Sequence, residues 1–186
     1  MSFLDQLTPD QRESMISLPY RVGLYVSQSD KSGGDESNEK EAQALSNILQ
    51  GYAQEVFGAE TVQYVISETV SRQRDWDDWS DDVDKVEGDC HRAIDILSEL
   101  VDEKEVSAFK QHLIEIGESV ALAFREYDES LPFLTKLRIY YHYYRGKSQA
   151  AKRKENYKSF DEFLNISLDE RKALNIIAGA LNTTYV

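Results

Sequence analysis

Apolar residues recur along this chain at three- and four-residue spacing, the period of helices that each bury one face. Val22, Tyr25 and Val26 open the series, and Ala42, Leu45, Leu49, Tyr52, Ala53 and Val56 continue it. Val62, Val65, Ile66 and Val70 mark a further stripe, followed by Cys90, Ala93, Ile94, Leu97 and Val101. Val106, Phe109, Leu113, Ile116, Val120 and Phe124 make a long one. Phe133, Leu137, Tyr140, Tyr141 and Tyr144 make the next, and Leu174, Ile177, Ala178 and Leu181 the last. No segment alternates with the period of two expected of a half-buried strand. The pattern predicts an all-α fold of about seven or eight helices.

Local signals punctuate these stripes. Thr8-Pro9-Asp10-Gln11 reads as a capping box with proline in the first turn. Pro19 should end that helix near Ser17, and a second helix should run from about Pro19 to Gln28. Gly33-Gly34 breaks the chain, and Asn38 with Glu41 forms the next cap and box. Gly58 suits a left-handed terminator. Arg72 to Asp84 reads as a loop with Trp76 and Trp79 folded inward, and a helix resumes at Asp89. Another begins near Pro132. Arg145 to Lys158 is basic and poor in apolar residues, a linker or loop. Phe160, Phe163 and Leu164 form an apolar plug before a last helix that Ser167 caps with Glu170.

A chain of 186 residues is the size of one domain, taken here as residues 1–186. Its net charge of -13 is uneven. Between Lys136 and Lys158 stand eight basic residues and one acid, so that stretch carries +7 and the rest carries -20. The acidic body disfavours nucleic acid, while the basic strip suits an anionic partner. The single cysteine, Cys90, leaves no intrachain disulfide and sits on an apolar helical face as a core residue. No signal peptide is evident, and no window approaches the ~20 apolar residues of a membrane span. A cytoplasmic protein is expected.

Candidate chemistry is concentrated in carboxylates. From Asp30 an EF-hand template would use Asp30, Ser32, Gly34, Glu36, Asn38 and Glu41, but its required glycine is replaced by Asp35. That leaves a looser site for Ca2+ or Mg2+ at Asp30, Asp35, Glu36 and Glu41, or a solvated loop favouring a helix N-terminus. Asp75, Asp77, Asp78, Asp81, Asp82 and Asp84 form a denser cluster around the two tryptophans, a cation site, partner patch or solvated surface. His91, His112 and His142 fall in neither Glu-x-x-His nor His-Glu-x-x-His, which sets aside di-iron and zinc-peptidase chemistry. The tyrosines from Tyr140 to Tyr144 fit a core stripe with hydroxyls at its margin better than a base-stacking surface. Lys147, Lys152, Arg153 and Lys154 are the candidate anion-binding groups.

Two flanks of the acidic loop recur. Val22-Gly23-Leu24-Tyr25-Val26 is echoed 98 positions on by Val120-Ala121-Leu122-Ala123-Phe124, which leads to Asp128. Asn38-x-x-Glu41-x-x-Ala44-Leu45-x-x-Ile48 is echoed 129 positions on by Ser167-x-x-Glu170-x-x-Ala173-Leu174-x-x-Ile177. The difference places 31 extra residues in the second copy, the Tyr-rich helix and basic loop inserted at about 129–166.

An apolar helix, an aspartate-bearing loop and an Asn/Ser-x-x-Glu cap used twice resemble the TerB-like domain of tellurite resistance proteins. The match covers Val22 to Leu49 and, split in two, Val120–Asp128 and Ser167–Leu181. The family's Ala-Asp-Gly signature stands here as Ser29-Asp30-Lys31-Ser32-Gly33, and Tyr127-Asp128-Glu129 has no glycine. The resemblance implies a single helical domain, divalent-ion ligands at Asp30, Glu41, Asp128 and Glu170, and a role in stress-linked complexes near the inner membrane face. The resulting expectation is a non-enzymatic binding or scaffold protein of stress-response type with a protein partner, modulated by a divalent cation. The alternative is an adaptor whose basic strip meets RNA, acidic lipid or acidic protein.

Overall fold

The computed structural model describes residues 3–29, 35–55, 58–123, 144, 147, 148, 152, 166 and 168–185, with the backbone alone at 35–41 and 168. Among the described residues there is no strand and there are seven α-helices: α1 (Pro9–Ser27), α2 (Asp35–Gln54), α3 (Glu60–Ser71), α4 (Trp76–Ser80), α5 (Val86–Leu100), α6 (Glu103–Ala123) and α7 (Leu168–Ala180). The helix expected near Pro132, the Gly33-Gly34 break, Val56, Phe124, the plug at 160–164 and the Ser167 cap lie outside the described residues. None of the described helices is long and apolar enough to cross a membrane.

Helix α1 starts where the capping box predicts. The Thr8 amide donates to Gln11 Oε1 at 3.0 Å, and the Gln11 amide donates to Thr8 Oγ1 at 3.3 Å. It does not stop at Ser17. One helix of 19 residues runs through Pro19, correcting the expected pair of short helices. An interior proline costs about 3 kcal/mol in lost hydrogen bond and steric conflict. Met15, Ile16, Leu18, Tyr20 and Val22 are all buried beside it, each contributing about 1.5–3 kcal/mol, so burial outweighs the break.

Three other boundaries shift. Helix α2 begins at Asp35, which puts Asn38 inside the helix rather than at its cap; acidic residues in the first turn suit the positive helix end. Its core face is Leu45, Ile48 and Leu49, while Ala42 is exposed. Residues 72–84 are not a loop but a run of short helical turns around α4, and α5 begins at Val86, ahead of Asp89. The tryptophans explain the first of these. Trp76 and Trp79 stand three apart, share one helical face and are both buried. Trp76 stacks on Tyr20 at 4.6 Å and donates its indole N–H to the Thr69 carbonyl at 3.0 Å. Gly58 has the expected positive φ of 66°, in the connection between α2 and α3 rather than directly at a helix end.

Helix α3 has no side-chain cap of its own. The Glu105 carboxylate of α6 reaches across to accept the Glu60 and Thr61 amides at 3.2 and 2.7 Å. That places a negative charge on the helix's positive end and fixes the α3–α6 joint.

Helices α1 and α6 form the centre, and α2, α3, α5 and α7 pack around them. Two glycines let neighbours approach closely. A Cβ on Gly23 would stand 2.4 Å from Leu45 Cδ1 and 3.2 Å from Val120 Cγ2. One on Gly117 would stand 2.9 Å from Leu174 Cδ2 and 3.2 Å from Val26 Cγ2. Leu45 and Leu174 are the two leucines paired by the 129-residue echo. The glycines are 94 apart, four fewer than the 98-residue echo, or about one helical turn. The chain therefore makes the same leucine-into-glycine contact twice.

Gly23→Ala should destabilise the protein by about 1 kcal/mol, because overpacking of about 1–3 kcal/mol exceeds a helix-propensity gain of about 1 kcal/mol. Gly88, whose added Cβ would meet only Arg92 at an ordinary 3.5 Å, should instead gain about 0.5 kcal/mol as alanine. Urea midpoints of the two variants should move in opposite directions.

Candidate functional site

The structure bears on the sequence's candidate groups unevenly. Asp30, Asp128, Arg153 and Lys154 lie outside the described residues. Asp35, Glu36 and Glu41 fall in the first two turns of α2, where the backbone alone is described. Glu170 lies on α7 and is buried, 2% exposed. Lys147 sits 6.0 Å over the Tyr144 ring, and Lys152 is exposed. Among the described residues no three His, Cys, Asp or Glu side chains are grouped to hold a metal. Cys90 is fully buried, as its apolar face predicts, and burial pushes its thiol up to about 12. His91 is exposed, and His142 lies outside the described residues.

A polar stripe runs down α6 toward α2. Glu115 is 6% exposed and accepts from the Gln111 amide at 2.7 Å, with His112 Nε2 4.0 Å away. His112 Nδ1 lies 2.7 Å from the Ala108 carbonyl. An oxygen there requires the proton on Nδ1. Ser119 donates to the Glu115 carbonyl at 2.7 Å, and its hydroxyl meets Tyr52 at 3.2 Å. Burial raises the Glu115 pKa, and His112, Gln111 and Lys147 oppose that rise. The Tyr52 hydroxyl is held well above its ordinary value, again chiefly by burial.

The second polar site joins α1 to α5. Arg21 and Asp89 are 3% and 5% exposed and meet at 2.6 Å. Arg21 also donates through Nε to Ser17 at 3.0 Å, through Nη1 to the Asp82 carbonyl at 3.1 Å, and through Nη2 to the Ser14 carbonyl at 3.4 Å. The other Asp89 oxygen accepts from Arg92, one turn along α5. Burial lowers the Arg21 pKa, and Asp82, Cys90 and Glu13 oppose the loss of charge.

A cleft of about 450 Å3 opens on this pair. Met15, Ala93 and Ile96 supply its apolar wall, and Asp10, Glu13, Ser14, Trp79, Asp82, Lys85 and Arg92 surround them. Glu13 is fixed from two sides, by the Trp79 indole at 2.6 Å and by Arg72. The Arg72 guanidinium lies 5.3 Å over the Trp79 ring. Such a site presents fixed charges on a preformed wall.

Neither Arg21 nor Asp89 stood out in the sequence. The available signal was charge at core spacing: Arg21 lies three residues after Leu18, and Asp89 four before Ala93. A charge on such a face needs a buried partner. No protein-family model, curated protein or solved structure shows significant similarity to the chain.

Two outcomes are expected from these sites. Asp89→Ala should cost about 3–5 kcal/mol, since it strands a buried guanidinium. Arg21→Met should cost less, because Arg92 remains on Asp89, and Arg21→Met with Asp89→Leu should cost less than the sum. A double-mutant cycle by chemical denaturation measures this. At Glu115 the folded-state pKa is raised, so the native state binds more protons than the unfolded chain in the window above the ordinary glutamate value. Stability should fall as pH rises through that window. Glu115→Gln should remove this slope and raise the melting temperature at neutral pH; an unchanged slope would show that Glu115 does not carry it.

Proposed function

We propose that this chain is a non-enzymatic binding or scaffold protein, of the stress-response, TerB-like kind suggested by its repeated helix–acidic loop–helix segments, acting on a protein partner in the cytoplasm. The observation supporting it is the α1/α5 cleft. Three of its four lining acids are engaged in pairs, Asp89 with Arg21 and Arg92, Glu13 with Arg72 and Trp79, and Asp82 with Lys85, while Asp10 is exposed. A general base works through an available lone pair near the operating pH, whereas recognition gains from charges already held in place. Next to the cleft, Asp77, Asp78, Asp81, Asp82 and Asp84 are exposed on turns anchored by the buried tryptophans. That acidic ridge favours a partner with basic groups at its contact face.

A divalent cation, Ca2+ or Mg2+, is proposed as a modulator through Asp30, Asp35, Glu36 and Glu41 at the junction of α1 and α2, with Asp128 and Glu170 in the corresponding places of the second copy. Oxygens clustered in sequence beside a helix–helix joint support that part of the proposal.

The test is affinity capture from the native host with wild type and Lys85→Glu as baits, each in millimolar Ca2+ and in chelator. A partner retained by wild type, lost by the variant and weakened by chelator is expected. Identical capture by both baits would remove the cleft from the proposal. Equal capture with and without the ion would remove the cation.

A further inference from the structure

Helix α6 buries two faces of opposite character. Leu113, Ile116 and Val120 give one to the apolar core. Gln111, Glu115, Glu118, Ser119 and Leu122 fall together on another at helical spacing, and its two carboxylates are almost sealed, Glu115 at 6% and Glu118 at 1% exposure. A buried carboxylate that ionises needs a compensating charge. The Gln111 amide on Glu115 is neutral, and His112 turns its Nδ1 proton to the Ala108 carbonyl, so its Nε2, 4.0 Å from Glu115, bears a proton only in the imidazolium.

A lysine comes to the same face from the basic strip. Tyr144 packs on the apolar group of Val26, Ala121, Leu122 and Leu174. Leu122 and Glu115 are seven residues apart, two turns or about 10 Å along one side of α6. Lys147, three residues after Tyr144, lies over its ring at 6.0 Å. Lys147 is half-buried, whereas Ser148 and Lys152 beside it are exposed. Its ammonium is close enough to Glu115 to favour the ionised carboxylate, together with His112 and Gln111 and against the larger effect of burial. The titratable groups described around Glu115 are His112 and Glu118 on α6, Tyr52 on α2, and Tyr144 and Lys147. Lys147 is the lysine of this set, and a lysine keeps its charge through the neutral range.

We propose that Lys147 is the internal counter-ion of Glu115: the ionised carboxylate holds the ammonium inward on α6, and protonation of Glu115 releases it to solvent. While Glu115 is charged, Lys147 is withdrawn from the anion-binding candidates and belongs to the fold. The strip's outward charge then rests on its other basic residues. This tie is separate from the α1/α5 cleft and does not depend on what binds there.

The test is a pH titration of the intact protein by carbon NMR, following Glu115 Cδ and Lys147 Cε in one sample, with Glu115→Gln and Lys147→Arg to assign them. Lys147 Cε should shift at the Glu115 midpoint, and that step should vanish in Glu115→Gln. Lys147→Met should move the Glu115 midpoint upward, because a neighbouring positive charge is lost while the stem over Tyr144 is kept. Lys147→Arg should leave the midpoint near the wild-type position. A role for Lys147 in packing alone predicts no movement of the midpoint with Met. A midpoint indifferent to Lys147→Met, or a Lys147 signal flat through the Glu115 titration, overturns the counter-ion. The wild-type step needs no variant, so it decides the matter even where a substitution prevents folding.

Discussion

Among the described glycines, two on the central helix pair leave too little room for a Cβ. Gly23 of α1 and Gly117 of α6 each give up a side chain so that a leucine from a neighbouring helix, Leu45 or Leu174, can sit against helix backbone. Leu45, Leu174, Val22, Val26 and Val120 are all essentially sealed from solvent. Dispersion contacts fall off steeply with distance, so a gap of an ångström at this seam would loosen every helix that packs on it. The positions of α2 and α7 follow from the seam. So does the orientation of α1, whose opposite face carries Arg21.

Helix α6 combines this apolar role with a polar one. Its Glu105 carboxylate caps α3, and its Glu115, His112 and Ser119 face Tyr52 of α2. Groups of this kind are costly to bury, and they add directional constraints that methyl groups do not supply. The leucine–glycine contacts set how near the helices come. The hydrogen-bonded groups restrict rotation and sliding about that distance. The same division holds on α5, where Cys90 and Leu97 fill the core while Asp89 fixes Arg21.

The helical fold class was legible because the three-and-four spacing survives nearly everywhere, and the residues it marks in α3, α5, α6 and α7 are largely those that are buried. Local signals were weaker guides. Pro19 is a helix breaker by its covalent chemistry, yet five buried neighbours hold α1 continuous. Asn38 has the right chemistry for a cap, yet α2 starts three residues earlier. Trp76 and Trp79 were rightly expected inside, while the helical turns that carry them were obscured by the surrounding aspartates. The buried ion pair was hardest to see, since Arg21 and Asp89 are 68 residues apart and neither forms a local motif with the other. Pairing across that distance is set by tertiary packing, which a single helix period does not encode.

Arg21 and Gly23 are two residues apart on one rigid helix, so the cleft and the core seam cannot be altered independently. Gly23 fixes how deeply α1 sits against α6 and α2. That depth places Arg21 where Asp89, Ser17 and two backbone carbonyls can hold it. A guanidinium anchored by four bonds has little freedom left to lose when a further acceptor arrives, and the ordering cost of recognition has been met during folding. The continuity of α1 through Pro19 is part of this arrangement. A break at Ser17 would separate the capped, cleft-lining N-terminal turns from the segment bearing Arg21 and Gly23. Burial that overrides the proline therefore also preserves the geometry of the cleft, linking the least sequence-like feature of α1 to the site where binding is proposed.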